Sequence, residues 1–305
     1  MIRYPYATLA VIEALVDSEV PHWRAAARAR TEAIKQVGRY VEGGPSWSDV
    51  KPVFMRLQSN KCIFCELPLG GENSGKATQD IEHFRPKNAV KAWPAPAKAG
   101  EERPTFPFAT GGTGDGYYWL AYELSNYAAA CKGCNTARKA NYFPIAGTAR
   151  GPAEADVSTL NAGEQPFLIF PLGTVDQDPE SLITFEGIVA IPVTADGQDH
   201  RRAGVNIEFF GLNEREELWE DRFRVITSVF QSVELMRTST NPSIVKMAQR
   251  TIANHISESG PHANCARSYL ALLQRDRVRA WGIYEAAEAS VENAKNKRAA
   301  LTGLI

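Results

Sequence analysis

Residues 61–66 read KCIFCE and residues 126–139 read NYAAACKGCNTARK, so Cys62-x-x-Cys65 and Cys131-x-x-Cys134 repeat one spacing. Cysteines separated by two residues can take adjacent corners of a tetrahedron, and two such knuckles supply a complete four-sulfur shell for Zn²⁺. A complete shell leaves no open position for chemistry. The ion is therefore expected to hold the chain together, while any catalysis falls to the carboxylates, histidine and amides lying between and beside the knuckles. The interval between the knuckles is much longer than in a simple zinc ribbon, which makes it an insertion. Spacing alone leaves packed or redox-active thiols as the alternative.

The rest of the composition sets bounds. At 305 residues with 44% hydrophobic and 23% charged residues, the chain can bury a substantial core. Its opening, MIRYPYATLAVIEALVDSEV, is interrupted by Glu13 and Asp17 and contains neither a secretory apolar stretch nor a membrane span. A cytoplasmic location with reduced thiols follows as the expectation, and disulfides drop out. A net charge of −1 gives no global attraction to nucleic acid, so any phosphate-binding surface must be a local patch. Cys265, without a nearby partner, reads as helix core.

The pattern of elements points to an α+β fold. Apolar residues at Leu9, Ile12, Leu15 and Val16 recur at helical spacing, an Ala/Arg-rich run follows Trp23, Gly43-Gly44-Pro45 stops it, and residues 47–57 form a third helix. Residues 79–84 alternate like a strand that Pro86 ends. The Pro/Gly/Ala-rich tract at 91–116 reads as a loop. Residues 117–122, rich in Tyr and Trp, read as core packing. A helix is expected to begin after the second knuckle. Strand-like pieces at 167–170, 182–185 and 188–191 follow, with Glu186-Gly187 as a tight turn, and Asn213 with Glu216 reads as a capping box opening a long helix. Four regions result: N-terminal helices at 1–58, a knuckle-bearing module at 59–148, a strand- and loop-rich middle at 149–212, and C-terminal helices at 213–305.

On this skeleton a hairpin ends at Glu82-His83, a loop carries Asn126, and a helix starts near Asn135. Neutral imidazole suits removal of a proton from water at cellular pH, which makes His83 the candidate general base. Glu82, Asp80 and the amide oxygen of Asn135 offer the hard oxygen ligands that Mg²⁺ or Mn²⁺ prefers, in a sparse set that leaves room for phosphate and water. Asn126 is expected to act at one remove, bonding loop backbone so that His83 stays aimed. Arg85, Lys87, Lys132, Arg138 and Lys139 cluster around the same elements as candidate phosphate contacts.

These strings carry a resemblance. KCIFCE, DIEHFRPK (80–87), YYWLAYELSNYAAACKGCN (117–135) and the following Lys139 with Phe143-Pro144 resemble the HNH endonuclease superfamily, and more specifically the PtuB-type HNH proteins of Septu anti-phage systems and their retron-associated relatives. PFLIFPLGTVDQDPE (166–180) and IEFFGLNEREELWEDR (207–222) extend the likeness, so it covers residues 47–225. The resemblance implies a ββα-metal module on a zinc knuckle, with structural zinc at Cys62, Cys65, Cys131 and Cys134, the general base at His83, and a catalytic cation at Glu82 and Asn135. Asn126 takes the middle position of the HNH name. Asn135 stands where many relatives carry a third histidine, and an amide is a weaker, neutral ligand. The resemblance further implies DNA cleavage in antiviral defence beside an ATPase of the SMC/RecF-like type. A zinc-stabilised nucleic-acid-binding or assembly module without cleavage, and an RNA-cleaving nuclease, are the other readings.

Overall fold

The computed structural model describes residues 1–70, 79–96 and 103–302. The chain is a mixed α/β protein, mostly helical, with two small antiparallel sheets. Three helices open it: α1 (Leu9–Glu19), capped by the Thr8 hydroxyl; α2 (Trp23–Val37), stopped by Gly38 in the left-handed region; and α3 (Trp47–Leu57), capped by Ser46. All three lie where the sequence expects helices, but α2 stops at Gly38, ahead of the expected Gly43-Gly44-Pro45. Strand β1 (Gln79–His83) then pairs with β2 (Tyr127–Cys131), in a register that sets Gln79 opposite Cys131 and His83 opposite Tyr127.

β2 is buried along its whole length, so every polar group of its backbone needs a partner. β1 occupies one edge, and the side chain of Gln58 takes the other in place of a third strand. Its Oε1 accepts from Ala129 N–H at 2.8 Å, while Nε2 donates to Ala129 O at 2.8 Å and to Lys61 O at 3.0 Å. The Ile63 N–H, inside the first knuckle, also donates to Ala129 O at 3.1 Å. The knuckle is thereby fastened to the strand.

After β2 the helix expected near Asn135 is short. Helix α4 (Lys132–Cys134) gives way to a π-helical turn over Asn135–Lys139, and Ala140 ends it with φ 38°. The middle region, expected to be strand- and loop-rich, instead holds α5 (Val157–Glu164), α6 (Pro179–Leu182) and α7 (Gly197–Phe209) around a hairpin of β3 (Ile183–Glu186) and β4 (Val189–Pro192). The hairpin turns at Gly187-Ile188, one residue later than its sequence suggested. Residues 167–170 are no strand. Their backbone is bonded by α7 side chains: Asn206 Nδ2 donates to Phe167 O at 2.7 Å, Asn206 Oδ1 accepts from Ile169 N at 3.2 Å, and Arg202 donates to Phe167 O and Leu168 O. Of the tract at 91–116, the described residues form only isolated bridges, and 97–102 lie outside them.

The C-terminal helices are α8 (Glu216–Thr238), α9 (Pro242–Ile256), α10 (Ala263–Arg275) and α11 (Arg277–Thr302), with α8 packed against the other three. Asn213 does not cap α8. Its amide pairs with both backbone groups of Ala190 on β4, and Arg215 stands at the cap position instead. α10 meets the first knuckle, where Ala263 N–H donates to Glu66 Oε2 at 2.8 Å and Lys61 Nζ donates to Gly260 O at 2.7 Å. Cys265 is buried, as read from sequence, and so are Tyr117, Tyr118, Trp119 and Tyr122. One hydrophobic cluster runs from Met1 to Val291 through all four sequence regions. Among the described residues no helix is long and apolar enough to cross a membrane.

Because Gln58 serves Ala129 N–H and Lys61 O, while Ala129 O also has the Ile63 N–H, Gln58→Met should preserve volume but strand one buried donor and one buried acceptor. Urea unfolding is expected to show a loss of about 2–4 kcal/mol. A loss under about 1 kcal/mol would mean that the strand edge finds other partners.

Candidate functional site

The four knuckle cysteines converge. Their Sγ atoms all lie within 4.8 Å of one another, all four residues are buried, and none is in a disulfide. Cys65 and Cys131 Sγ are 3.8 Å apart, which matches the edge of about 3.8 Å expected for a tetrahedron with 2.3 Å zinc–sulfur bonds. Cys134 N–H points at Cys131 Sγ at 3.4 Å, a donor that favours the thiolate. Burial pushes the Cys62 and Cys134 thiols up, whereas hydrogen bonds from Cys134 and its neighbours hold Cys131 far below the usual thiol range. Four buried sulfurs at this separation fit a structural cation such as zinc.

A polar cleft of about 420 Å³ lies along the free edge of β1. Residues from both faces of the strand reach it, including Asp80, Glu82 and His83; α3 contributes Trp47, Ser48 and Lys51, and the π-turn contributes Asn135 and Thr136. Four of the five sequence-predicted chemical residues, His83, Glu82, Asp80 and Asn135, therefore line one cleft.

His83 is held tightly. Its Nε2 is 3.0 Å from the carbonyl of Ala121, which can only accept, so Nε2 carries the proton and Nδ1 keeps its lone pair. The same carbonyl accepts from Trp47 Nε1 and the Tyr127 hydroxyl. Trp47 and Tyr127 also pack edge-on against the imidazole, at 4.9 and 5.1 Å between ring centres. Burial, reinforced by the charge of Lys87, lowers the His83 pKa to about 3, so the ring is neutral at cellular pH. Glu82 is buried against Lys139, whose Nζ lies 3.2 Å from Oε1 and 3.4 Å from His83 O. Burial pushes the Glu82 carboxyl up to about 7 despite that ammonium, and burial lowers Lys139 in turn.

Asn126 does not line the cleft. Its Oδ1 accepts from Arg85 N–H at 2.7 Å, and Nδ2 donates to Arg85 O at 3.0 Å and to Leu120 O at 3.2 Å. The amide thus ties the backbone just beyond His83 to the loop that presents Ala121.

The basic cluster divides. Arg85 is 1% exposed and paired with Glu164 at 3.1 Å, and Lys139 is 0% exposed and paired with Glu82, so in this arrangement neither can touch a phosphate backbone. Their positions beside the motif misled because sequence does not show that both side chains turn inward to carboxylates. Lys132 is exposed but bridges to Asp80 at 2.6 Å, and Arg138 bridges to Glu214 at 2.9 Å. Lys87 lies over the rings of Trp47 and Tyr40 at 4.5 and 4.9 Å and lines the cleft. Sequence reasoning missed Lys51, which lines the same cleft and donates to Gln79 O at 3.3 Å, and Trp47. Only their spacing on one face of α3 could have flagged them.

No protein-family model, no characterised protein and no solved structure matches the chain. What the site does must follow from its own chemistry.

Two measurements check this geometry. Elemental analysis of the purified protein should give one zinc per chain, and Cys62→Ser should lower metal content and folded yield together. Nitrogen-detected NMR should show His83 as the Nε2–H tautomer, with no protonation until the pH nears 3. Titration of His83 near pH 6.5 would mean that the ring is solvated.

Proposed function

We propose that the chain is a metal-dependent endonuclease of the HNH kind, in which β1, β2 and the turn after them serve as a ββα-metal module on a zinc knuckle. The observation that supports this most is the gathering of Glu82, His83 and Asn135 on one polar cleft beside the four-cysteine cluster.

In this reading His83 Nδ1 takes the proton from an attacking water, while the Ala121 carbonyl keeps the ring from turning away. Glu82 and Asn135, with Asp80 at the rim, would hold Mg²⁺ or Mn²⁺. Their oxygen donors suit such an ion, and Lys139 engages Oε1 of Glu82. Bound there, the cation would neutralise charge growing on the scissile phosphate and leaving oxygen. Lys87 and Lys51 are the cleft cations suited to meet phosphate. A phosphate beside Lys87 would offset one of the charges that depress His83, making the imidazole a stronger base when substrate is present.

DNA is the substrate this reading favours, by resemblance, with a role in antiviral defence beside an SMC/RecF-like ATPase. The chain's slight acidity fits weak, salt-sensitive binding alone and a partner that adds basic surface. Exposed Leu235, Met247, Val278 and Trp281 on α8, α9 and α11 make the C-terminal helices the candidate docking surface. A second reading, a zinc-stabilised binding or assembly module without cleavage, draws on Lys139, a buried ammonium already beside the carboxylate that a cation would need.

Plasmid and RNA cleavage with EDTA and metal add-back, by the chain alone and with its presumed ATPase, separates these readings. His83→Ala should lower DNA cleavage roughly 10²–10⁴-fold with zinc content and DNA binding retained. Asn135→Ala should be partly rescued by excess Mg²⁺ or Mn²⁺, and His83→Ala should not. Full activity of His83→Ala would return the protein to the binding-module reading, and cleavage of RNA alone would redirect it to RNA.

A further inference from the structure

The four-cysteine site poses a charge problem that a residue about eighty positions downstream answers. Four thiolates around one divalent ion leave excess negative charge in a buried site, where it is costly unless paired. Arg215, at the cap of α8, brings its guanidinium over the second knuckle. Its Nη1 donates to Cys134 Sγ at 3.2 Å, and Nη2 lies 3.9 Å from Cys131 Sγ. The side chain is 9% exposed, and its Nε is held by Glu217 Oε1 at 2.8 Å.

The backbone under the guanidinium is shaped for it. A β-carbon on Gly133 would stand 2.8 Å from Arg215 Nη2 and 3.1 Å from its Cζ. The glycine inside CKGC therefore leaves the space that the guanidinium fills.

We infer that Arg215 is an integral part of the zinc site, donating to two of its four thiolates and offsetting part of their excess charge. This rests on the zinc reading of the cysteine cluster. Donors to a metal-bound thiolate withdraw charge from sulfur, which lowers its affinity for protons and electrophiles and so slows metal loss. Because the same residue begins α8, the metal site and the C-terminal helices are joined by one side chain, and loss of the ion should loosen the start of α8.

The test uses the full-length zinc-loaded protein and four variants: Arg215→Gln, Arg215→Lys, Glu217→Gln and Gly133→Ala. The first-order rate of zinc transfer to an excess of a chromogenic chelator is read beside metal content, with hydrogen exchange followed across residues 213–222. Arg215→Gln should release zinc about 10–100-fold faster than wild type. Arg215→Lys, which keeps the charge but loses the two-pronged donor, should fall between. Gly133→Ala should move in the same direction by displacing the guanidinium, and Glu217→Gln, which keeps an oxygen acceptor for Nε, should speed release less than Arg215→Lys does. Stripping zinc from the wild type should speed exchange at the start of α8. If Arg215→Gln fails to fold, the Arg215→Lys rate against wild type decides the matter.

Equal rates for wild type and both Arg215 variants would overturn the inference alone. Equal acceleration in Lys and Gln variants would also overturn it, since a mere brace does not distinguish a retained charge. A wild-type protein that carries no zinc would overturn the metal reading and this inference together.

Discussion

The convergence of four sulfurs is the constraint on which the rest of the structure depends. Cys131 ends β2 and Cys62 opens the first knuckle, so closing the shell fixes where the strand stops and pins residues 61–66 to its outer edge through Ile63 and Gln58. The strand register then carries that fixed point to the cleft. Gln79 lies opposite Cys131 and His83 opposite Tyr127, four residues or roughly 13 Å further along. A slip of one residue would swap the faces of Glu82 and His83, taking the carboxylate from Lys139 and the imidazole from Ala121 and Trp47. The cysteine cluster thus sets how far along the strand the cleft residues lie.

Charge is managed around the cleft by burial in pairs. Arg85 donates to Glu164 and Asn161, while Glu164 also accepts from the Tyr117 hydroxyl and from Gly151 N–H, so one carboxylate joins α5 to the end of β1 and to the loop at 117. Lys139 does the same for the π-turn through Glu82 and His83 O. Such pairs contribute little net stability beside apolar packing of equal volume, but breaking one leaves a buried charge without compensation, so they fix geometry. The consequence for recognition is that the basic residues nearest the motif are spent inside. Lys51 and Lys87, which the cleft does present, come from α3 and from the residue after Pro86.

Where an element's cause is local, the sequence shows it. The cysteine pairs, the helices at 9–57, the strand before Pro86 and the buried Tyr/Trp segment all follow from spacing, caps and turn residues. Where a distant group completes the backbone, sequence misleads. Residues 167–170 have the composition of a strand, but Asn206 and Arg202 occupy the positions a neighbouring strand would take. Asn213 has the spacing of a cap but serves Ala190. Helix α7 escaped notice because its apolar positions are interrupted by Asn206, buried for that same bonding role. For the site, the types at Glu82, His83 and Asn135 were legible. The partners that set their state, Lys139 for the acid and Ala121 for the base, depend on directions that only the folded chain defines.

Asn126 shows why a residue remote from the cleft can still be particular in its chemistry. It meets one donor, Arg85 N–H, and two acceptors, Arg85 O and Leu120 O. A primary amide carries an oxygen acceptor and two N–H donors in one plane, which matches that set. Neutral imidazole has one donor and one acceptor and could hold just one of the two carbonyls; a carboxylate has no donor and would face both carbonyl oxygens. At this buried position an unserved polar group costs about 1–3 kcal/mol, so the amide is the fitting chemistry. What it secures is the relation between two backbone segments: the one that ends β1 after His83, and the loop whose Ala121 carbonyl fixes the imidazole tautomer. The orientation of the proposed base is therefore set from both sides, by a hydrogen bond to its ring and by an amide that keeps that bond's acceptor in place.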